Sequence, residues 1–199
     1  MLKNLVLGSG LVLYPSLFHT NKKEQLIHLV VIGTPCTSYV EEFIISNPNI
    51  SCISIGGDIG NAIIDYDFSF IKMQFEKFNY AYAKIPDTIK SLFSTPNKYI
   101  IISELNKPNV LLSKLVVEYL QNNSIDFRFL GTTPFFNPAL GRWGKDFFNE
   151  LLTDHRLTIF DVNEYLLQLR QINSDILAVD AIELLDDELT DILIGMISI

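Results

Sequence analysis

Apolar and polar positions alternate along the chain in two registers. Mainly apolar runs occupy residues 26–32 (Leu-Ile-His-Leu-Val-Val-Ile), 99–103 and 125–130, the last interrupted by Asp126 and Arg128, and residues 50–55 alternate apolar with small side chains. Runs this short, bounded by turn residues, predict strands buried on both faces of a parallel sheet. Between them the apolar spacing becomes helical. Residues 38–46 carry a stripe of Tyr39, Val40, Phe43 and Ile44, with Thr37 as N-cap and Asn47-Pro48 as the stop. Further helices are predicted over 85–93, with Pro86 in the first turn, and over 110–122, 143–152 and 161–169. The longest pattern begins at a cap at Asn173 or Ser174 and runs to the end through Leu185, Leu189, Leu193 and Met196. Residues 59–83 are less regular, strand-like only over 68–73.

Strand, loop, helix, strand is the grammar of a parallel sheet with crossover helices. The predicted fold is therefore a three-layer, Rossmann-like α/β domain with helices on both faces and a long C-terminal helix. Ligands in such sheets lie where strands end, so the loops after Ser103 and Leu130 are the places to seek function. No repeat, low-complexity segment or linker divides residues 1–199, which read as one domain with residues 1–25 as an N-terminal extension. Within that extension, residues 5–18 are apolar but interrupted by Gly8, Gly10 and Pro15. They read as a strand packed on the core or as a weak signal or anchor, and are too short to span a bilayer. The C-terminal helix carries Asp186, Asp187, Glu188 and Asp191 without a cationic partner at helical spacing. That group is either a solvated face or a site for a basic partner.

Composition narrows the classes. A hydrophobic fraction of 48% and a mean hydropathy of +0.25 suit a sheet covered on both sides. The net charge of −8, with no cluster of Lys and Arg, argues against nucleic acid. Cys36 and Cys52 are too few for a disulfide scaffold and read as reduced cysteines of a cytoplasmic protein. His19, His28 and His155 are scattered, and no metal site is expected.

Phosphate-binding loops need glycines so that backbone N–H groups can converge. The loop after the first strand, Gly-Thr-Pro-Cys-Thr-Ser-Tyr, has one glycine and a proline without a donor. The loop Glu104-Leu105-Asn106-Lys107-Pro108-Asn109 has no glycine and carries a carboxylate. Gly56-Gly57-Asp58 is the one glycine pair, and reads as a turn. There is no GxxxxGK[ST], GxGxxG or GxSxG motif and no Cys–His pairing, so no residue is nominated as catalytic.

From residue 26 to residue 199 the chain resembles the N-terminal, nucleotide-binding domain of the tubulin/FtsZ superfamily. The segments that carry the likeness are CISIGGDIGNAI, then IIIS, ELNKPN and VLLSKLVVEYLQNN, then FRFLGTTPFFNPALGR. LTIFDVNEYLL and LAVDAIELLDDELTDILIGMI complete the order. The resemblance implies a guanine-nucleotide site, for GTP or GDP, with Thr133 in the T-x-P-F-like segment and Arg142, Asn163 and Asp180 at its base and ribose end. Each also has a plainer reading: Arg142 in a surface loop at a helix start, Asn163 as a turn or cap residue, Asp180 as part of a polar helix face.

The departures are as informative. Both loops that match the family's phosphate loops lack their glycines, and the glutamate that precedes the arginine is missing from FFNPALGR. The sequence ends with the central helix, so hydrolysis by the family's mechanism is not expected of this chain alone. The resemblance therefore implies a non-catalytic interaction or assembly module, with a filament or cell-division protein as partner. Self-association through Leu189, Leu193 and Met196 is also expected, on the face the family covers with a second domain. A guanine-nucleotide switch or weak GTPase is the alternative, with phosphates held by Gly56-Gly57, Lys107 and Thr132-Thr133. An enzyme on an unrelated α/β fold is the third reading.

Overall fold

The computed structural model describes residues 26–35, 37–66, 68, 83–134 and 154–198. Its strands are Ile27–Ile32 (β1), Ser51–Ile55 (β2), Ala62–Ile64 (β3), Lys98–Glu104 (β4), Asp126–Thr132 (β5) and Leu157–Phe160 (β6). All pair in parallel in the order β3-β2-β1-β4-β5-β6. The order reverses between β1 and β4, the switch point of a Rossmann-like sheet. Helices among the described residues are Tyr39–Ser46 (α1), Asp87–Lys90 (α2), Lys107–Asn122 (α3), Val162–Ile172 (α4) and Ala178–Ser198 (α5).

Successive strand residues point to opposite faces, and both faces are covered. On one, Val30, Ile32, Ile101, Phe127 and Phe129 pack under α2 and α3. On the other, Leu29, Val31, Ile100, Ile102 and Leu130 pack under α1, α4 and α5. This is why β1 and β4 read as mainly apolar runs, whereas Asp126 and Arg128 interrupt the start of β5. A fully buried aliphatic side chain is worth roughly 1.5–3 kcal/mol, so these two layers dominate stability. The result is the three-layer Rossmann-like α/β architecture that the pattern predicts, closed by a long C-terminal helix. No helix among the described residues is long and apolar enough to cross a membrane.

α5 crosses its face of the sheet from the C-terminal ends of the strands toward their starts. Its row Ala181, Leu185, Leu189, Leu193 and Met196 is buried. This corrects the expected self-association surface: Leu189, Leu193 and Met196 are 1%, 0% and 7% exposed because they face the sheet. At the far end the ammonium of Lys98, in a side chain that is itself buried, donates to the Met196 carbonyl at 3.1 Å. A cation there satisfies a free helix-terminal carbonyl and the negative end of the helix dipole.

Other boundaries differ for local reasons. The polar segment expected as a loop at 104–109 is the end of β4 followed by the start of α3. The Asn106 side chain caps this start by accepting from the Asn109 N–H, and Pro108 sits in the first turn, where no donor is needed. β3, a three-residue strand in the irregular region, has too little apolar length to stand out. α2 is shorter than expected, with Pro86 at its N-cap rather than inside it. α4 runs to Ile172, beyond the expected end, and α5 begins at Ala178, after a turn in which Asn173 accepts from the Asp175 N–H. Ser38, not Thr37, holds the cap position of α1. The expected segment 1–25, the helix at 143–152, Arg142 and nearly all of 68–73 lie outside the described residues.

Before β6, Arg156 donates to both carboxylate oxygens of Asp154 at 2.6–3.0 Å, and Gln121 of α3 donates to the same carboxylate at 2.8 Å. The Arg156 guanidinium also lies 4.5 Å over the Phe127 ring. Hydrogen bonds from Arg156 above all hold the Asp154 carboxyl well below the usual carboxylate range. A depressed carboxyl stabilises the fold above its unfolded pKa, and that contribution is lost as pH falls through the folded value. Asp154→Asn is expected to cost about 1–2 kcal/mol at neutral pH. In urea titrations the gap between variant and native protein should close progressively below about pH 4.

Candidate functional site

The C-terminal edge of the sheet gathers the ends of β1, β2, β4, β5 and β6, and three features stand along it. The first is the switch point. Here four backbone donors at the strand ends already have partners. Gly33 N–H donates to the Ile55 carbonyl, Gly56 N–H to Ile64, Leu105 N–H to Thr132 and Thr133 N–H to Phe160, all at 2.7–3.0 Å. Each bond continues the sheet one step beyond the strand. At the start of α3, Asn109 N–H is taken by the Asn106 side chain, and Pro108 has none to give.

The crevice itself is filled. Gly33 adopts φ +78°, and a β-carbon there would stand 2.2 Å from the side-chain nitrogen of Asn109. Gly57 packs as closely from the other side, where a β-carbon would stand 2.5 Å from the Gly33 carbonyl oxygen. Asn109 is 4% exposed. The two glycines thus allow close contact of the loop after β1 with α3 and with the loop after β2. Beside them Glu104 ends β4 half-buried, and burial pushes its carboxyl above the ordinary range.

The second feature joins two of the nominated residues. Thr133 is fully buried at the end of β5, and its hydroxyl donates to Asp161 at 3.2 Å while accepting from the Val162 N–H at 3.0 Å. The Asn163 side chain donates to the Pro134 carbonyl at 3.1 Å and reaches the Thr133 hydroxyl at 3.5 Å. Asp161 in turn accepts from the N–H groups of Asn163 and Glu164, capping α4. Thr133 and Asn163 are thus brought together, in a knot that fixes β5 to the start of α4. Asp180 stands apart, exposed in the first turn of α5.

The third feature was missed in the sequence. Asp186, expected on a solvated acidic face, is 6% exposed. One carboxylate oxygen accepts from the Ser38 hydroxyl at 2.6 Å and lies 3.3 Å from the Ser38 N–H, across 148 residues of chain. Asp187, Glu188 and Asp191 are exposed as expected. The signal was present: Ile182, Asp186 and Thr190 form a row at i, i+4 beside the buried row of Leu185 and Leu189. A cavity of about 530 Å³ opens between α1 and α5, lined by Ser38, Glu42, Val179, Ile182, Glu183, Asp186 and Asp187. Among the described residues no group of His, Cys, Asp and Glu is placed to hold a metal ion. No protein-family model and no curated protein matches this chain.

Two outcomes follow from the switch point. Gly33→Ala should destabilise by about 2 kcal/mol, from the left-handed backbone and the clash together. Adding Asn109→Ala should recover part of that loss in chemical denaturation, because it removes the clashing atoms. Glu104→Gln should be more stable than the native protein at pH 7. A raised carboxyl penalises the ionised fold only as pH climbs through its folded pKa, so the gain should vanish at pH 4 and below, where both proteins are neutral at this position.

Proposed function

We propose that this chain is a tubulin/FtsZ-like nucleotide-binding domain whose phosphate crevice has closed, and that it acts in the cytoplasm as a non-catalytic interaction or assembly module. A filament or cell-division protein is the partner that the resemblance implies. The closed switch point carries this reading. Asn109 packs on Gly33 where the family's glycine loops hold phosphates, and the N–H groups of Gly33, Gly56, Leu105 and Thr133 are spent on the sheet. Strand order and the long helix laid across one face support the resemblance behind it. Thr133 and Asn163 carry structural bonds here, which accounts for their presence without a nucleotide.

The competing role is a guanine-nucleotide switch using Arg142, Asn163, Asp180 and Thr133. Calorimetric titration with GTP and GDP in Mg²⁺, after denatured protein has been checked for carried-over nucleotide, separates the two. No heat of binding at millimolar nucleotide is the expected result. Micromolar binding that falls in Asp180→Ala would reassign the protein as a switch.

A further inference from the structure

β5 carries a charge that packing of the sheet does not call for. Side chains alternate between the faces of a strand, so Arg128 shares the α5 face with Leu130 and with its sheet partner Ile100. Its half-buried side chain faces the last turns of α5 across a cavity of about 300 Å³. A guanidinium has five N–H donors in a flat fork. Arg128 donates once, to the His155 carbonyl at 3.3 Å, and its other N–H groups have no partner among the described residues. Water or a ligand in the cavity is left to accept from them.

The cavity opens between β5, β6 and α5 at the starts of the strands. Besides Arg128 its wall is made by His155, Thr158, Ile192, Gly195 and Met196, and no carboxylate lines it. Arg156 borders it too, but its guanidinium is held by both oxygens of Asp154 and lies over the Phe127 ring. Asp126, two residues before Arg128, is exposed and outside the lining. The α5 wall is open for a separate reason. Gly195 stands inside the helix, where glycine is unfavourable, yet a β-carbon there would meet nothing within 4 Å. No neighbour requires a glycine at that position, and the missing side chain leaves the cavity its depth.

Charge and shape together narrow the ligand. The parallel N–H groups of a guanidinium match the two oxygens of a carboxylate. The C-terminal end of α5 is partly negative, which weighs more against a phosphate dianion than against a single charge. Ile192 and the open backbone at Gly195 offer apolar surface beside the cation, and Thr158 offers a hydroxyl. The volume is at the small end for ligand pockets and suits one ring with a short acid arm. We infer that the cavity between β5, β6 and α5 binds a small organic carboxylate, its oxygens on Arg128 and Thr158 and its apolar part on Ile192 over Gly195. The site lies at the opposite edge of the sheet from the switch point, and the inference stands apart from the interaction-module reading.

The test is an NMR titration of the whole isotope-labelled chain at neutral pH and low salt, with phenylacetate, its neutral counterpart phenylacetamide and inorganic phosphate. Phenylacetate should shift the backbone N–H signals of Thr158 and Gly195 saturably, and phenylacetamide should bind about tenfold or more weakly. Gly195→Leu fills the cavity from a position with free space, so the variant should fold as stably as the native protein and lose binding. Arg128→Gln keeps a donor without the charge, and should weaken phenylacetate about tenfold while leaving phenylacetamide almost unchanged. Gly195→Leu decides the question where Arg128→Gln does not fold. No saturable shift at millimolar phenylacetate, equal binding of acid and amide, or binding that neither substitution changes overturns the site. Phosphate binding tighter than phenylacetate would make the occupant a phosphate group and overturns the carboxylate.

Discussion

α5 can lie across the sheet in one way because an apolar stripe and two polar contacts must be satisfied together. Leu185, Leu189 and Leu193 seat on Leu29, Val31, Ile100, Ile102 and Leu130 of the strands. Near its middle Asp186 accepts from the Ser38 hydroxyl, and at its C-terminal end the Met196 carbonyl accepts from Lys98. A shift of α5 by one residue would turn the leucines off the sheet and break both polar contacts. The apolar stripe supplies most of the energy, whereas the polar pair fixes register, because a buried carboxylate or ammonium moved off its partner costs more than it gains anywhere nearby.

The same accounting explains why the C-terminal edge is closed. Backbone N–H groups at strand ends must go somewhere. In a phosphate-binding loop they point at the ligand, which needs glycines to turn them and a loop that leaves the sheet early. Here the sheet bonds continue to Gly33, Gly56, Leu105 and Thr133. Asn109 then occupies what is left, made possible by the absent side chain at Gly33. Scarcity of glycine in a loop and extension of pairing into it are one feature seen at two levels.

The strands and their parallel arrangement were legible because two-sided burial leaves an unmistakable run of aliphatics. The centres of α1, α3 and α5 were legible for the same reason at helical period. What escaped depends on contacts distant in sequence. No local signal says that Asp186 meets Ser38, although its place in the row of Ile182 and Thr190 marks it as nearer the sheet than Asp187 or Glu188. β3 escaped because three residues cannot establish a period. The start of α3 escaped because Asn106-Lys107-Pro108-Asn109 has loop composition, and only the capping geometry distinguishes a helix entry from a turn. The bonds of Thr133 and Asn163 to Asp161, Val162 and Pro134 join segments almost thirty residues apart and likewise have no local signal.

The carboxylates between α1 and α5 have a structural explanation in the two helix starts they stand beside. Carboxylates near a helix N-terminus complement the helix dipole, which accounts for Asp180 in the first turn of α5. The effect fades beyond the first turn, so it does not reach Asp186 or Asp187. Capping of α1 accounts for one oxygen of Asp186, since Ser38 stands at that helix start. Glu42 lies in the first turn of α1, where the dipole of that helix favours a carboxylate and the Ser38 hydroxyl reaches it at 3.2 Å. A neutral asparagine could accept from Ser38 as well and would bury less charge. The carboxylate at position 186 therefore makes physical sense as a charged acceptor at the N-terminus of α1, where it takes both the N–H and the hydroxyl of Ser38.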